Sequence, residues 1–162
     1  MTRSATKFLV VDDFSTMRRI VKNLLHDLGY QHVTEADDGK TALPMLQEGQ
    51  YDFLITDWNM PGMPGIDLLQ AVRSDSKLAK LPVLMLSMHP EEQYAIRALK
   101  AGASGYLTKQ SAPEQLVTAI RQVASGKKYV SPSLAEELAN AITDDSERPP
   151  HEKLSDREYQ TL

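Results

Sequence analysis

The chain of 162 residues contains no cysteine. That excludes disulfides, thiolate metal centres and a cysteine nucleophile, and it suits a reducing compartment. There is no surplus of positive charge either. Lys and Arg number 18 against 22 Asp and Glu, a net charge of −4, so charge alone gives no drive towards non-specific nucleic-acid binding. No long apolar run is present near the start. The first, Phe8 to Val11, is far too short for a signal peptide or a membrane span. These absences point to a cytoplasmic protein with no membrane segment. What remains is ordinary for a globular chain, with 41% hydrophobic and 25% charged residues. The length predicts one domain plus an appendage.

Short apolar runs alternate with amphipathic stretches. Phe8–Val11, His32–Thr34, Phe53–Thr56, Val83–Leu86 and Gly105–Thr108 read as strands. Runs apolar on both faces suit a parallel sheet covered on both sides. Met17, Ile20, Val21, Leu24, Leu25 and Leu28 form a helical stripe, which Gly29 ends. Pro44 predicts a kink or a short helix between Gly39 and Gln47. Pro90 suits a first helical position, and Ser111-Ala-Pro-Glu114 reads as a capping box. The repeat is βα five times, ending near Ala124, which predicts a three-layer α/β sandwich with right-handed crossovers. A helix is expected from about 132 to 142, and Thr143 to Pro150 reads as a linker. Leu154-Ser-Asp-Arg-Glu158 carries a second capping box, with Leu154 and Tyr159 as a staple. So short a helix before Leu162 is unstable alone, and we expect the natural chain to continue.

Asp12-Asp13 follows the first strand and Asp57 the third. In a parallel sheet these ends share one edge, where loops build ligand sites. Crowded carboxylates repel one another, and Mg²⁺ offsets that with oxygen ligands. Ser87 at the fourth strand adds a hydroxyl, and Lys109 at the fifth adds a point charge. Taken singly, Asp13 reads as a cap, Ser87 as a turn residue and Lys109 as a solvated lysine. Together, a carboxylate nucleophile, a metal, a hydroxyl and an ammonium suit phosphoryl transfer.

Phe8-Leu-Val-Val-Asp-Asp-Phe-Ser-Thr-Met-Arg-Arg19 and Thr56-Asp-Trp-Asn-Met-Pro-Gly62 resemble receiver domains of two-component response regulators, of the chemotaxis CheY type. From residue 86 onward the likeness shifts. Leu86-Ser-Met-His-Pro90 through Gly105-Tyr-Leu-Thr-Lys109, and Tyr129-Val-Ser-Pro-Ser-Leu134, resemble the NarL/FixJ response regulators. Leu154 to Leu162 resembles the opening of their LuxR-type helix-turn-helix domain. The chain thus reads as a hybrid, natural or engineered, with a seam near Leu81 to Ser87. The resemblance implies a flavodoxin-like (βα)5 fold with strand order 2-1-3-4-5, for which CheY is a standard example. It also implies a receiver over 1–126, a linker over 127–151 and a truncated helix-turn-helix start over 152–162.

Carried over by position, Asp57 is the phosphoacceptor, and Asp12, Asp13, Asp57 and the backbone carbonyl of Asn59 hold one Mg²⁺. Ser87 and Lys109 complete the site. Ser87 and Tyr106 form the switch, with Tyr106 turning from outside to inside on phosphorylation. The residue readings alone leave Tyr106 equally a half-buried strand tyrosine. Asn59 and His89 flank the path of the hydrolytic water and set the autodephosphorylation rate. Lys109-Gln110 stands where the family has Lys-Pro, so a trans bond is expected. The partners implied are a histidine kinase and a phosphorylation-dependent homodimer. The output implied is transcription of the NarL/FixJ type through the surface of the fourth helix, fifth strand and fifth helix. A CheY-like single-domain chemotaxis regulator is the alternative. An enzyme of the haloacid dehalogenase type also uses an aspartyl nucleophile, but it needs Asp-x-Asp after the first strand, where this chain has Asp12-Asp13. No DNA binding is expected from these residues, because a recognition helix is lacking.

Overall fold

Five strands alternate with helices, as the apolar runs require. In the computed structural model, which describes residues 5–147, the strands are β1 (Lys7–Val11), β2 (His32–Ala36), β3 (Phe53–Asp57), β4 (Val83–Ser87) and β5 (Gly105–Thr108). The helices are α1 (Ser15–Asp27), α2 (Gly39–Glu48), α3 (Gly65–Ser74), α4 (Glu91–Lys100), α5 (Ala112–Ala124) and α6 (Pro132–Glu147). The strands form one parallel sheet in the order β2-β1-β3-β4-β5. Two units divide the chain, Met1–Val130 and Ser131–Leu162. Tyr129 belongs to the first, where it bridges Gly105 at the start of β5.

The sheet is buried because successive side chains point to opposite faces and both faces are covered. Phe8, Val10, Phe53, Ile55, Leu84, Leu86 and Leu107 pack with Val21 and Leu25 of α1 and Leu116, Ile120 and Val123 of α5. Their odd-even neighbours Leu9, Leu54 and Met85 are equally buried on the other face, as are Leu46 of α2 and Leu68 and Leu69 of α3. Gly29, at φ 97°, ends α1 with its N–H on the His26 carbonyl, while the Tyr30 N–H reaches the Leu25 carbonyl. This is the Schellman pattern.

Several local expectations change. Ile20 is 40% exposed and leaves the α1 stripe, which Met17, Val21, Leu24, Leu25 and Leu28 suffice to seat. The α2 helix runs through Pro44 for its full length, with Asp38 capping it by accepting the Thr41 N–H at 2.7 Å. Pro90 is the N-cap of α4, in extended backbone, and the helix starts at Glu91. Ser111 makes no cap bond, because its backbone is helical rather than extended, and its hydroxyl instead meets Thr108 Oγ1 at 2.8 Å and the Thr108 carbonyl. The last helix reaches Glu147, so the first part of the expected linker is helical. Ser131 Oγ caps that helix by accepting the Leu134 N–H at 3.2 Å. The second capping box and the helix-turn-helix start lie outside the described residues.

Candidate functional site

Asp57 is the last residue of β3, and β1 beside it ends at Val11, so Asp12 enters the same edge. Asp12 is 2% exposed and Asp57 is 3% exposed, whereas Asp13 is open to solvent. One carboxylate oxygen from each of Asp12, Asp13 and Asp57 lies within 4.8 Å of the others. Asp12 is held in place by its neighbours. Its Oδ1 accepts the Phe14 N–H at 2.9 Å, and Arg18 from α1 donates to its backbone carbonyl. Arg18 is itself fixed by an ion pair with Glu35 of β2 at 3.1 Å.

Lys109 follows β5, and its N–H donates to the Ser87 carbonyl at 2.8 Å, which ties it to the end of β4. Its ammonium lies 2.9 Å from Asp12 Oδ2 and 3.3 Å from Asp57 Oδ1. The Phe14 ring sits 5.4 Å from the same nitrogen. Burial lowers the Lys109 pKa, but the close contact with Asp12 and the two carboxylate charges more than offset it, and the net direction is upward. Asp57 moves the other way from a usual carboxylate. Burial first, and the Asp12 charge second, push it up to about 6 against the pull of Lys109. Burial together with the neighbouring acids therefore outweighs the one lysine.

These residues fit a hard divalent cation. Asp12 Oδ2 is buried and makes no well-directed hydrogen bond, although the Lys109 ammonium is close. An ionic contact without good alignment leaves that oxygen free to ligate. Oxygen donors without a histidine among them suit Mg²⁺ rather than zinc. Asp13 and Asn59 line one side of a cavity of about 290 Å³ together with Met60, Pro61 and Pro64.

Ser87 is fully buried, and its Oγ accepts the His89 N–H at 3.0 Å. Tyr106 is fully buried too, with its hydroxyl donating to the His89 carbonyl at 2.9 Å, so the ring occupies the inward position. Burial raises the Tyr106 pKa. The two switch candidates thus meet on the backbone of His89. The His89 ring reaches the other side of the mouth, with Nε2 2.6 Å from Asn59 Nδ2. Tyr94 of α4 stacks on that ring at 4.2 Å, and Arg97 lies over both Trp58 and Tyr94 at 5.5 and 5.6 Å. No cis peptide bond occurs among the described residues, so Lys109-Gln110 is trans.

All the expected site residues come to one edge. Sequence reasoning missed Gly65, at the start of α3. A Cβ there would lie 2.0 Å from the Asp57 carbonyl oxygen, so only glycine lets α3 begin so near the site. The turn-rich stretch Pro61-Gly-Met-Pro-Gly65 was the available signal. Phe14 beside Lys109 and Arg18 beneath Asp12 had no signal, because both depend on how α1 packs.

The model for the response regulator receiver domain matches residues 8–121. The chain belongs to that family. Chemotaxis protein CheY of Pseudomonas aeruginosa is 56% identical to this receiver over 117 residues, covering 72% of this chain and 94% of that one. CheY-3 of Vibrio cholerae is 60% identical over 103 residues, covering 64% of this chain and 79% of that one. Among solved structures, a LuxR-family two-component response regulator from Aurantimonas superposes with a TM-score of 0.76. It is 33% identical and covers 86% of this chain and 99% of that one. CheY4 of Vibrio cholerae gives a TM-score of 0.67 at 36% identity, over 73% of this chain and 98% of that one. The receiver therefore has relatives on both the chemotaxis and the LuxR sides.

Proposed function

We propose that this receiver is a phosphorylation switch in which Asp57 takes a phosphoryl group from the phosphohistidine of a kinase. The observation that carries this reading is the carboxylate triad with Lys109 wedged between Asp12 and Asp57. The ionised Asp57 carboxylate attacks phosphorus, forming an O–P bond as the histidine N–P bond breaks. The leaving imidazole retains the electron pair and takes up a proton. Lys109 supplies fixed positive charge where the phosphoryl oxygens gather. Asp12, Asp13, Asp57 and the Asn59 backbone carbonyl would hold Mg²⁺, which when bound offsets charge on the carboxylates and the transferred group. The switch is not an enzyme with steady turnover, beyond self-phosphorylation from small donors and autodephosphorylation.

The new charge, roughly −1.5 to −2, draws the Ser87 hydroxyl toward the phosphoryl oxygens. Ser87 can donate its proton there while still accepting the His89 N–H, since a hydroxyl has one donor and two acceptor positions. Tyr106 is tied to the same residue through its carbonyl. A shift of His89 therefore reaches the α4-β5-α5 surface through packed side chains. We assign the output to transcription of the NarL/FixJ type, with no DNA binding by the described residues. The proposed state is cytoplasmic, and among the described residues no helix is long and apolar enough to cross a membrane. A chemotaxis role is the second reading, favoured by the CheY match over 94% of that relative.

Acetyl phosphate with Mg²⁺ tests the core of this. One phosphoryl group should appear on intact protein by mass spectrometry and be lost in Asp57→Asn. Continuous phosphate release without an adduct would favour a phosphatase instead. Sedimentation with beryllofluoride tests the phosphorylation-dependent homodimer, which an unchanged mass at high concentration rejects.

A further inference from the structure

At the end of the sheet opposite the carboxylates, where β4 and β5 begin, lies a cavity of about 270 Å³. Arg73, Lys80, Lys127 and Lys128 line it, with Ser104 on the wall, and among the described residues no carboxylate does. Arg73 is the fixed part. Its Nε donates to the Gly102 carbonyl at 2.8 Å, and its Nη1 donates to the carbonyls of Leu81 at 2.7 Å and Ala79 at 3.2 Å. Those partners are neutral and come from the α3–β4 and α4–β5 connections, so both loops hold one guanidinium in place. Among the described residues, Arg73 enters no ion pair. Burial, with no acid charge opposing it, lowers its pKa.

Cations do complement helix C-termini, and α3 and α5 both end near here. Two such ends carry about half a negative charge each, against four full positive charges, which leaves roughly +3. The α5 end is also capped, with the Gly126 and Lys127 N–H groups on the Val123 and Gln122 carbonyls. The dipoles therefore do not neutralise the cluster. A planar guanidinium with flanking ammonium groups suits phosphate oxygens. At about 30 Å³ per water, the volume displaces roughly nine waters, room for two phosphoryl groups. Ser104 Oγ accepts the Val83 N–H at 3.1 Å, which leaves its own proton available for donation.

We propose that this cavity binds a phosphate-bearing anion of diphosphate size, with Arg73 as the rigid donor and Lys80, Lys127 and Lys128 as the surrounding charge. The ligand is inorganic diphosphate or the diphosphate of a nucleotide. Its site lies at the sheet end remote from Asp57, so the two can be assayed separately.

Calorimetric titration of the full chain at constant ionic strength, with EDTA to exclude Mg²⁺, tests this with pyrophosphate, ADP and acetate. Saturable binding of pyrophosphate or ADP, and none of acetate, is the expected result. Tighter ADP supports the site with a nucleotide as its source, and tighter pyrophosphate supports it with the inorganic anion. Both lysines of the variant K127E/K128E are exposed, so its fold should persist. That variant should bind about tenfold more weakly or worse. Its Asp57 should still be phosphorylated by acetyl phosphate at the parent rate. No saturable binding at millimolar anion, or equal affinity in the double variant, overturns the proposal.

Discussion

Asp57 carries its charge under opposing influences, and the balance has measurable consequences. Its carboxyl is raised from 3.8 to about 6 by burial and by Asp12. The folded protein therefore disfavours the ionised form relative to the unfolded chain. The penalty is absent below pH 3.8, accumulates between pH 3.8 and about 6, and is constant above that. Asp57→Asn should stabilise the Mg²⁺-free protein at pH 7 by about 1–3 kcal/mol, a range already net of the pull of Lys109. The gain should vanish near pH 4 in urea melts, and an equal gain at both pH values would sink the assignment. Phosphorylation from acetyl phosphate should also slow below about pH 6 where Mg²⁺ is limiting, as the nucleophile is protonated. Gly65→Ala faces a 2.0 Å approach to the Asp57 carbonyl, so it should cost about 2–4 kcal/mol and slow phosphorylation. Chemical denaturation with a rate assay checks both. His89→Glu should change the autodephosphorylation rate, since it breaks the 2.6 Å contact with Asn59 and the stack on Tyr94. An unchanged decay of the phosphorylated form removes His89 from the proposed water path.

The elements differ in how their ends are secured. Asp38 caps α2 through Thr41, which lowers the Asp38 pKa. Ser111, at the equivalent place on α5, spends its hydroxyl on Thr108 instead. Asp38→Ala should therefore lower the melting temperature more than any loss of capping at Ser111 does. Thr108→Val tests the second half, because it removes the Oγ1 contact with Ser111 and should leave the capping of α5 unchanged. The cap motif alone was ambiguous, since Ser-x-x-Glu says nothing about a threonine three residues earlier. The strand ends were easier to read. Apolar runs bounded by Asp12-Asp13, Asp57, Ser87 and Lys109 place polar groups where a parallel sheet must end. The outward turn of Ile20 was not legible, because the neighbouring stripe residues already fill the α1 contact with α5 and the sheet.

For the molecule as a whole, the site gathers three carboxylates whose repulsion the proposed Mg²⁺ would offset. Mg²⁺ should raise stability by mass action, by about 2.7 kcal/mol at a hundredfold excess over its dissociation constant. Asp13→Ala should weaken that response while keeping the fold, since Asp13 is exposed. A melting curve indifferent to Mg²⁺ and EDTA would contradict the metal assignment. The sheet end opposite carries the reverse charge, in the cavity around Arg73. Sequence charge totals conceal this, because −4 is summed over the whole chain and does not register patches of opposite sign.

The amino-acid sequence by itself determined the five-fold βα alternation, the parallel sheet and the set of chemistry-bearing residues at one edge. Those follow from local periodicity and from where polar residues interrupt apolar runs. Only the tertiary structure decided how the set is wired. Lys109 divides its charge between Asp12 and Asp57, Tyr106 points inward, and both switch candidates meet at His89. Those features depend on the relative placement of β4, β5 and the loops around them. Contacts between residues far apart in the chain leave no periodic trace in the sequence that makes them.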